Sequence, residues 1–495
     1  MRYKYIFWDW NGTLIDDVQN ALSCVNEMLE EMGRKSITLR EYYSYIETPI
    51  VGFYRRLLAP EEPDFEKISK DFHTNYEKNL PETHLASGAK DVLSSLKERG
   101  AKHYIITASH TDEATSLTKR FGIGEYFEEI LGADDNYAES KTQRAIDFFN
   151  KKGIPQGDAL FVGDTLHDLE VANALGIDCV LVSYGHQGKK ALFESGCFVV
   201  DTLKEVENII LDDRRIDLHC HSTRSDGTLT PTELVKHAKD LGLSAIALTD
   251  HDSVNGIKEA LEAAEKLGFL LIPGIEFSVA ADTELHIIGL FLDPENGVLL
   301  KTIEGLVSSR RRRMEDICEK LSALSLPVSY EEAWLEAGGD FVGRAHIARL
   351  MIKKGYVSSV KEAFSKYIGI GRPAYSEKKE LTVKSAIEAI SAAGGCSFLA
   401  HLNQTGYSDE KLFSVLSQMK EYGLTGIEGY YPEYTKEQTA AYRTMAGKLG
   451  LVFSGGSDFH GSIKPAIELG AGFGSLNIPY FVLENIKRHR DTLYK

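Results

Sequence analysis

The stretch Arg215-Ile-Asp-Leu-His-Cys-His221 alternates apolar and polar residues. Successive side chains of a strand point to opposite faces, so this alternation predicts a strand that aims His219 and His221 the same way. The same spacing recurs in Ser457-Asp-Phe-His460. It follows the apolar run Leu451-Val-Phe and a Gly455-Gly456 pair that lets the backbone turn sharply. Asp458 and His460 form a second same-face pair. Four further apolar runs each carry a polar residue at or near one end: Ala245-Ile-Ala-Leu-Thr-Asp-His251, Leu270-Leu-Ile-Pro-Gly-Ile-Glu276, Leu285-His-Ile-Ile-Gly289 and Cys396-Ser-Phe-Leu-Ala-His401. With Asp226, the strand ends then carry His219, His221, His251, Glu276, His286, His401, Asp458 and His460. A single buried histidine is ordinarily a satisfied core residue. Six histidines and three carboxylates in this placement suit several metal ions acting together on a phosphate ester.

At 495 residues the chain exceeds what one core usually supports, and its composition is that of a soluble globular protein. A net charge of −17 argues against broad binding to duplex nucleic acid or to a membrane surface. The six cysteines are dispersed, with no C-x-x-C pair, which fits a reduced cytoplasmic setting. The amino terminus reaches Asp9 before a signal-peptide apolar core could form. No apolar run approaches membrane-spanning length, so a protein neither secreted nor membrane-embedded is expected.

Over residues 1–210, Tyr5-Ile-Phe-Trp, His103-Tyr-Ile-Ile, Leu160-Phe-Val and Cys179-Val-Leu-Val read as strands separated by helical stretches. That order predicts an α/β domain with a parallel sheet. Residues 16–85 hold Glu, Tyr and Leu at helical spacing and read as a helical cap inserted after the first strand. The charged linker Leu211-Asp-Asp-Arg-Arg215 closes this unit, and a second α/β domain spans 214–495. It is interrupted by a mostly helical insertion over about residues 299–390. A parallel barrel collects side chains from several strand ends at one face, so ligands far apart in sequence can converge.

His219-Cys-His221, Thr249-Asp-His-Asp252, Gly274-Ile-Glu276, Ala400-His401 and Ser457-Asp-Phe-His460 resemble the motifs of the PHP superfamily, named for polymerase and histidinol phosphatase, over about residues 214–495. The resemblance implies a distorted (β/α)7 barrel and three divalent ions, with Mn, Fe or Zn all compatible with such ligands. One ion would take His219, His221, Glu276 and Asp458, a second Glu276, His286 and His401, and a third Asp226, His251 and His460. Attack on phosphorus would come from hydroxide held by the metals. Arg224-Ser-Asp-Gly-Thr228, Gly343-Arg-Ala-His346 and Gly371-Arg-Pro-Ala-Tyr375 are similar to the branch of nucleoside 3′,5′-bisphosphate phosphatases and 5′-to-3′ trimming exoribonucleases. By that likeness Arg344, His346 and Lys378 are substrate-phosphate contacts, although Ala345 stands where the branch has Pro. Asp250 and Asp252 flank His251 and read either as carboxylates orienting an imidazole or as caps of the next helix. The run Arg310-Arg-Arg-Arg313 could hold phosphate with one or two members at most, because four consecutive helical residues point in four directions.

In the first half, Phe7-Trp-Asp-Trp-Asn-Gly-Thr-Leu14, Thr107 ending a strand, Lys141 beginning a helix and Gly163-Asp-Thr-Leu-His-Asp168 resemble, in order, the four motifs of the haloacid dehalogenase (HAD) superfamily. The resemblance covers about residues 1–210 and implies a HAD-like Rossmannoid fold. Asp9 would be the nucleophile forming an acyl phosphate, Thr107 and Lys141 would hold the phosphoryl group, and Asp164 with Asp168 would support Mg. The position two after the nucleophile, which in that family protonates the leaving alcohol, is Asn11. An amide cannot do this, and loss of general acid catalysis costs about 10² to 10⁴ in rate.

These readings predict a cytoplasmic metal-dependent phosphoesterase with a HAD-like domain, acting on a small phosphorylated substrate, a nucleotide or short oligonucleotide. A phosphatase of histidinol phosphate or a sugar phosphate is the alternative enzyme. A nucleotide-sensing protein keeping its metals structurally is the alternative without catalysis.

Overall fold

The computed structural model describes every residue except 48–49, 81–82, 134–140, 284, 338–341, 378–380 and 495. The chain forms two compact units, one of Met1–Arg214, Glu433–Phe453 and Pro479–Leu493, the other built on Arg215–Pro432 and Ser454–Ile478.

In the first unit the strands are β1 (Tyr5–Trp8), β2 (Ile15–Asp16), β3 (His84–Leu85), β4 (Lys102–His110), β5 (Phe127–Ala133), β6 (Ala159–Gly163), β7 (Asp178–Val182) and β8 (Phe198–Val200). Six of them form a sheet in the order β5-β4-β1-β6-β7-β8, with every pair parallel. A parallel sheet buried on both faces needs strands that are apolar throughout. β1 supplies this: Ile6 and Trp8 enter one core with Ile105, Leu160 and Val180, while Phe7 enters the other with Ile106, Phe161 and Leu181. Between β2 and β3 the described residues build four helices, Val18–Glu31, Leu39–Tyr45, Ile50–Leu58 and Phe65–Asn79, closed at the base by the β2/β3 pair. Their facing side chains, among them Met28, Tyr42, Phe53 and Ile68, make a separate small core.

Two helices far along the sequence also belong to this unit, which differs from the expectation of a contiguous 214–495 domain. The physical reason is a buried ion cluster. Arg443, on helix Lys436–Leu449, donates to Asp178 Oδ1 at 3.0 Å, and Tyr3 donates its hydroxyl to Oδ2 at 2.6 Å. Gly447 of the same helix lies so close to helix Leu166–Leu175 that a Cβ would meet Asn173 Nδ2 at 2.5 Å. Helix Tyr480–Leu493 contributes Asn485, which donates to the Gly196 carbonyl at 2.9 Å.

The second unit holds β9 (Arg215–Cys220), β10 (Ala245–Leu248), β11 (Leu270–Ala280), β12 (Leu285–Leu290), β13 (Leu381–Thr382), β14 (Cys396–Leu399), β15 (Gly426–Tyr430), β16 (Val452–Gly455) and β17 (Ile478–Pro479). The sheet runs β16-β15-β14-β12-β11-β10-β9-β17 and curls into a nearly closed barrel. Closure is visible where the segment after β16 meets β9: His221 N–H donates to the Phe459 carbonyl and Asp458 N–H to the His219 carbonyl, both at 2.9 Å. Gly456 makes this approach possible, since a Cβ there would sit 2.1 Å from His219 Cβ. Its role is close contact rather than the sharp turn expected from the sequence.

The barrel is not wholly parallel. β12 runs antiparallel to both β11 and β14 because the chain turns back directly after β11. The insertion carries its own core, in which Met314, Ile317 and Leu321 of the long helix Gly297–Ala323 pack with Ile347, Ala348 and Met351 of helix Arg344–Lys353. Among the described residues no helix is long and apolar enough to cross a membrane.

Replacing Asp178 by Ala leaves Arg443 buried without its carboxylate, and loss of one partner of a buried ion pair costs about 3–5 kcal/mol. Urea unfolding of the Asp178→Ala chain should show that loss. A change under about 1 kcal/mol would mean the pair is held at the level of an exposed salt bridge.

Candidate metal centres

Glu276 is the hub of the second unit. Its Oε2 lies 3.3 Å from both His219 Nε2 and His221 Nε2 and 3.0 Å from His251 Nδ1. Its Oε1 lies 2.9 Å from His286 Nδ1 and 3.1 Å from His401 Nε2. Asp458 Oδ1 stands 3.5 Å from His219, 3.3 Å from His221 and 3.4 Å from His460. Asp226 completes the set, 3.2 Å from His460 Nε2 and 3.8 Å from His251 Nε2. Donor atoms of His221, Asp226, His251 and His460 fall within one ion's reach, as do those of His219, His221 and Asp458 and those of His251, Glu276 and His286. All nine side chains predicted as ligands are therefore brought together.

Most of these residues sit at strand ends, but Glu276 lies in mid-strand. β11 runs past the barrel rim to pair with β12, and because β12 is antiparallel its first turn returns His286 to the same rim. The backbone is strained here, since His401 and Asp458 hold φ of 27° and 57° without being glycine. Such conformations persist only where surrounding contacts enforce them.

Two buried atoms test whether metal ions fit. His251 Nδ1 and Glu276 Oε2 make no hydrogen bond although both are shielded from water, a state that ordinarily costs about 1–3 kcal/mol per group. They face the same space as the ring nitrogens of His219 and His221, and imidazole with carboxylate is a donor set for Mn, Fe or Zn. The charge balance agrees. Burial pushes His219 down, but Glu276, Glu428 and Asp458 outweigh it and hold the ring well above its usual value. Burial also opposes His221, which Asp458 and Glu276 raise to about 9. Without ions, protons supply the positive charge these carboxylates need. His251 goes the other way, to about 3, through burial and the repulsion of His221, and so presents the neutral ring that ligation requires.

A surrounding layer of polar residues was not foreseen. Glu428 on β15 accepts from His401 N–H at 2.7 Å and pairs with His219 Nδ1 at 3.0 Å. Asp217 accepts from Ser457 N–H at 2.9 Å, Ser457 hydroxyl at 2.5 Å and Gly470 N–H at 2.8 Å, stapling the two ligand-bearing segments together. Tyr431 and Lys464 donate to Asp458 Oδ2 at 3.2 and 2.6 Å. A signal existed for Asp217 and Glu428, each a carboxylate inside an apolar strand. Asp250 accepts from Ser222 and Ser225 and so fixes the loop bearing Asp226. Asp252 accepts from Ser278 N–H at 3.3 Å and pairs with Arg310 at 2.5 Å.

Arg310 is thus the member of the arginine run that reaches a residue beside the ligands. Arg311 turns to Glu315 and Arg313 to the Ser376 carbonyl. Arg344 opens helix Arg344–Lys353 and lies over the Phe364 ring, and His346 Nδ1 accepts from Gly343 N–H at 3.0 Å. Lys378 lies outside the described residues.

In the first unit Asp9, at the end of β1, Asp164 and Asp168 bring carboxylate oxygens within one ion's reach. Lys141 opens helix Lys141–Lys152 and bridges Asp9 and Asp168, the latter at 2.5 Å. Thr107 is not terminal in β4, whose assignment runs on to His110; it stands at the irregularity after Ile106, and its hydroxyl accepts from Ser109 N–H at 3.0 Å. Burial and the neighbouring Asp168 push Asp9 well above the usual carboxylate range against the pull of Lys141. Burial likewise lifts Asp164 to about 6. Three buried carboxylates with one lysine suit a magnesium ion, whose charge would relieve that crowding.

Residues 217–422 match the PHP domain and residues 6–182 the haloacid dehalogenase-like hydrolases. Half of the chain is 38% identical over 251 residues to the 5′-3′ exoribonuclease of Haemophilus influenzae, covering 90% of that protein. Half is 31% identical to the 3′,5′-nucleoside bisphosphate phosphatase of Chromobacterium violaceum, covering 87% of it. A further 41% of the chain is 30% identical to the phosphoglycolate phosphatase of Pseudomonas fluorescens, covering 77% of it.

Residues behind a ligating histidine typically alter metal affinity by about 10–100-fold. Glu428→Gln should weaken binding of Mn²⁺ by that much in a calorimetric titration while leaving the fold intact by circular dichroism. Unchanged affinity would assign Glu428 to packing alone.

Proposed function

The chain belongs to the PHP family through residues 217–422 and to the haloacid dehalogenase-like hydrolases through residues 6–182, and from that premise we propose that its carboxy-terminal centre hydrolyses phosphate esters of nucleotides. The substrates are nucleoside 3′,5′-bisphosphates, nucleoside monophosphates or short RNA 5′ ends, with three ions of Mn, Fe or Zn as cofactor. The supporting observation is Glu276, one buried carboxylate facing five imidazoles with its two oxygens turned to different rings.

Bound divalent ions supply an activated water and neutralise charge on the phosphoryl and leaving oxygens. Glu276 with His219, His221 and Asp458 would hold one ion, Glu276 with His286 and His401 a second, and Asp226, His251 and His460 the third. Lys464, beside Asp458 and 37% exposed, and Arg310, beside Asp252 and 26% exposed, place two cations at the rim where a dianionic phosphate enters. Arg344 and His346 are the proposed phosphate contacts from the insertion. Likeness to a bisphosphate phosphatase and to an exoribonuclease favours nucleotides over histidinol or sugar phosphates.

Phosphate release with Mn²⁺ should be fastest from adenosine 3′,5′-bisphosphate, AMP or a 5′-phosphorylated oligoribonucleotide, and slow from histidinol phosphate. His219→Ala with His251→Ala should lower it by more than the roughly 100-fold that a positioning residue costs. Preference for histidinol phosphate would overturn the substrate, and activity surviving the double substitution would overturn the centre.

A further inference from the structure

Asn11 occupies the place from which the haloacid dehalogenase-like site would protonate a leaving group, and the structure shows what holds it there. Both amide hydrogens are committed: Nδ2 donates to Asp17 Oδ2 at 2.8 Å and to the Tyr76 hydroxyl at 3.1 Å. The amide oxygen accepts from Ser109 Oγ at 2.8 Å. Asp17 is 2% exposed and accepts three further bonds, from Gly12 N–H at 2.7 Å, from the Tyr76 hydroxyl at 2.7 Å and from His186 Nε2 at 3.1 Å. A carboxylate in place of Asn11 would stand against that of Asp17 in a dry pocket, where two like charges cannot both ionise. The asparagine is therefore matched to Asp17, and the hydroxyls around it are spent: Ser109 on Asn11, Tyr76 on Asp17, and Thr13 on Asp164 at 2.9 Å.

We propose that the amino-terminal centre accepts phosphoryl groups onto Asp9 from acyl phosphates and phosphoanhydrides and retains them as an aspartyl phosphate. A carboxylate Oδ of Asp9 attacks phosphorus, the bond from phosphorus to the leaving oxygen breaks, and the electron pair departs with that oxygen. A carboxylate leaving group, whose acid has a pKa of about 4, departs without a proton. An alcohol, whose acidity is close to that of water at about 16, does not. Release of phosphate requires water to attack the aspartyl phosphate and to lose a proton. By microscopic reversibility the group that gives a proton in the first step takes one in the second. Asn11 does neither, so both ester cleavage and turnover are slow while phosphoryl capture from an activated donor proceeds. Lys141, bonded to Asp9 and Asp168, is placed to hold the captured group. This inference is independent of what the carboxy-terminal centre hydrolyses.

The full chain incubated with Mg²⁺ and acetyl phosphate should gain the mass of one phosphoryl group, labile to hydroxylamine and mapped to Asp9. Glycerol phosphate should give no adduct, and neither should the Asp9→Asn chain. Asn11→Asp in the full chain should clear the adduct and raise alkyl phosphate hydrolysis by about 10² to 10⁴, measured in a His219→Ala background. No adduct with acetyl phosphate overturns the proposal. So does alkyl ester hydrolysis in the unaltered amino-terminal site at a kcat/KM equal to that of acetyl phosphate. Because the adduct is read on the otherwise unaltered chain, poor folding of a substituted form does not obscure the outcome.

Discussion

A carboxylate buried among imidazoles is tolerated only where positive charge balances it, because an isolated ion in a dry interior costs several kcal/mol. Glu276 imposes that condition on the carboxy-terminal unit. Burial would push its carboxyl up, yet His251, His219 and His286 hold it well below its ordinary range. Five rings from four segments must converge on two oxygens, and the barrel exists in the form that lets them. That requirement accounts for the antiparallel β12, which starts rather than ends at the ligand-bearing rim, and for a β11 long enough to carry Glu276 past the barrel while pairing with it.

Convergence has a structural cost, and the surrounding residues offset it. His401 and Asp458 sit in backbone conformations that favour glycine. Both are held there by bonds to their main chains: Glu428 takes the His401 N–H, and the His219 carbonyl takes the Asp458 N–H. Gly456 gives up its side chain so that the final ligand segment can lie against His219. Asp217 then bonds to His219 N–H on its own strand and to Ser457 and Gly470 in the segment after β16, so that the His219/His221 and Asp458/His460 pairs keep one register. A small loss of position in this layer is felt directly at the donor atoms.

The amino-terminal site solves the opposite problem. It gathers three carboxylates rather than many imidazoles, and Lys141 is the cation that keeps Asp9 and Asp168 together. Next to it, Asn11 and Asp17 form a neutral-donor and charged-acceptor pair that removes a proton-transfer group from the position where an ester would need one. The two units thus gather different resources, imidazoles around one buried carboxylate in one and three carboxylates with a lysine in the other.

The sequence by itself determined residue types and local periodicity. Period-two alternation over 215–221 aimed His219 and His221 together, apolar runs marked the strands of both sheets, and the spacing over 457–460 marked Asp458 and His460 as a second same-face pair, because these properties depend on neighbours within a few residues. The fold class was legible on that basis, and so was the set of nine side chains that the second unit gathers. Tertiary structure alone decided which ligands share an ion's reach, the direction of β12, the attachment of Arg443 to Asp178, and the tasks of Asp217, Asp250, Glu428 and Asn11. Each of those depends on atoms more than a hundred residues away or on a hydrogen bond whose partner the chain sequence does not name. His219 meets Glu428 across 209 positions, and Asn11 meets Ser109 across 98; only folding brings such pairs within bonding distance.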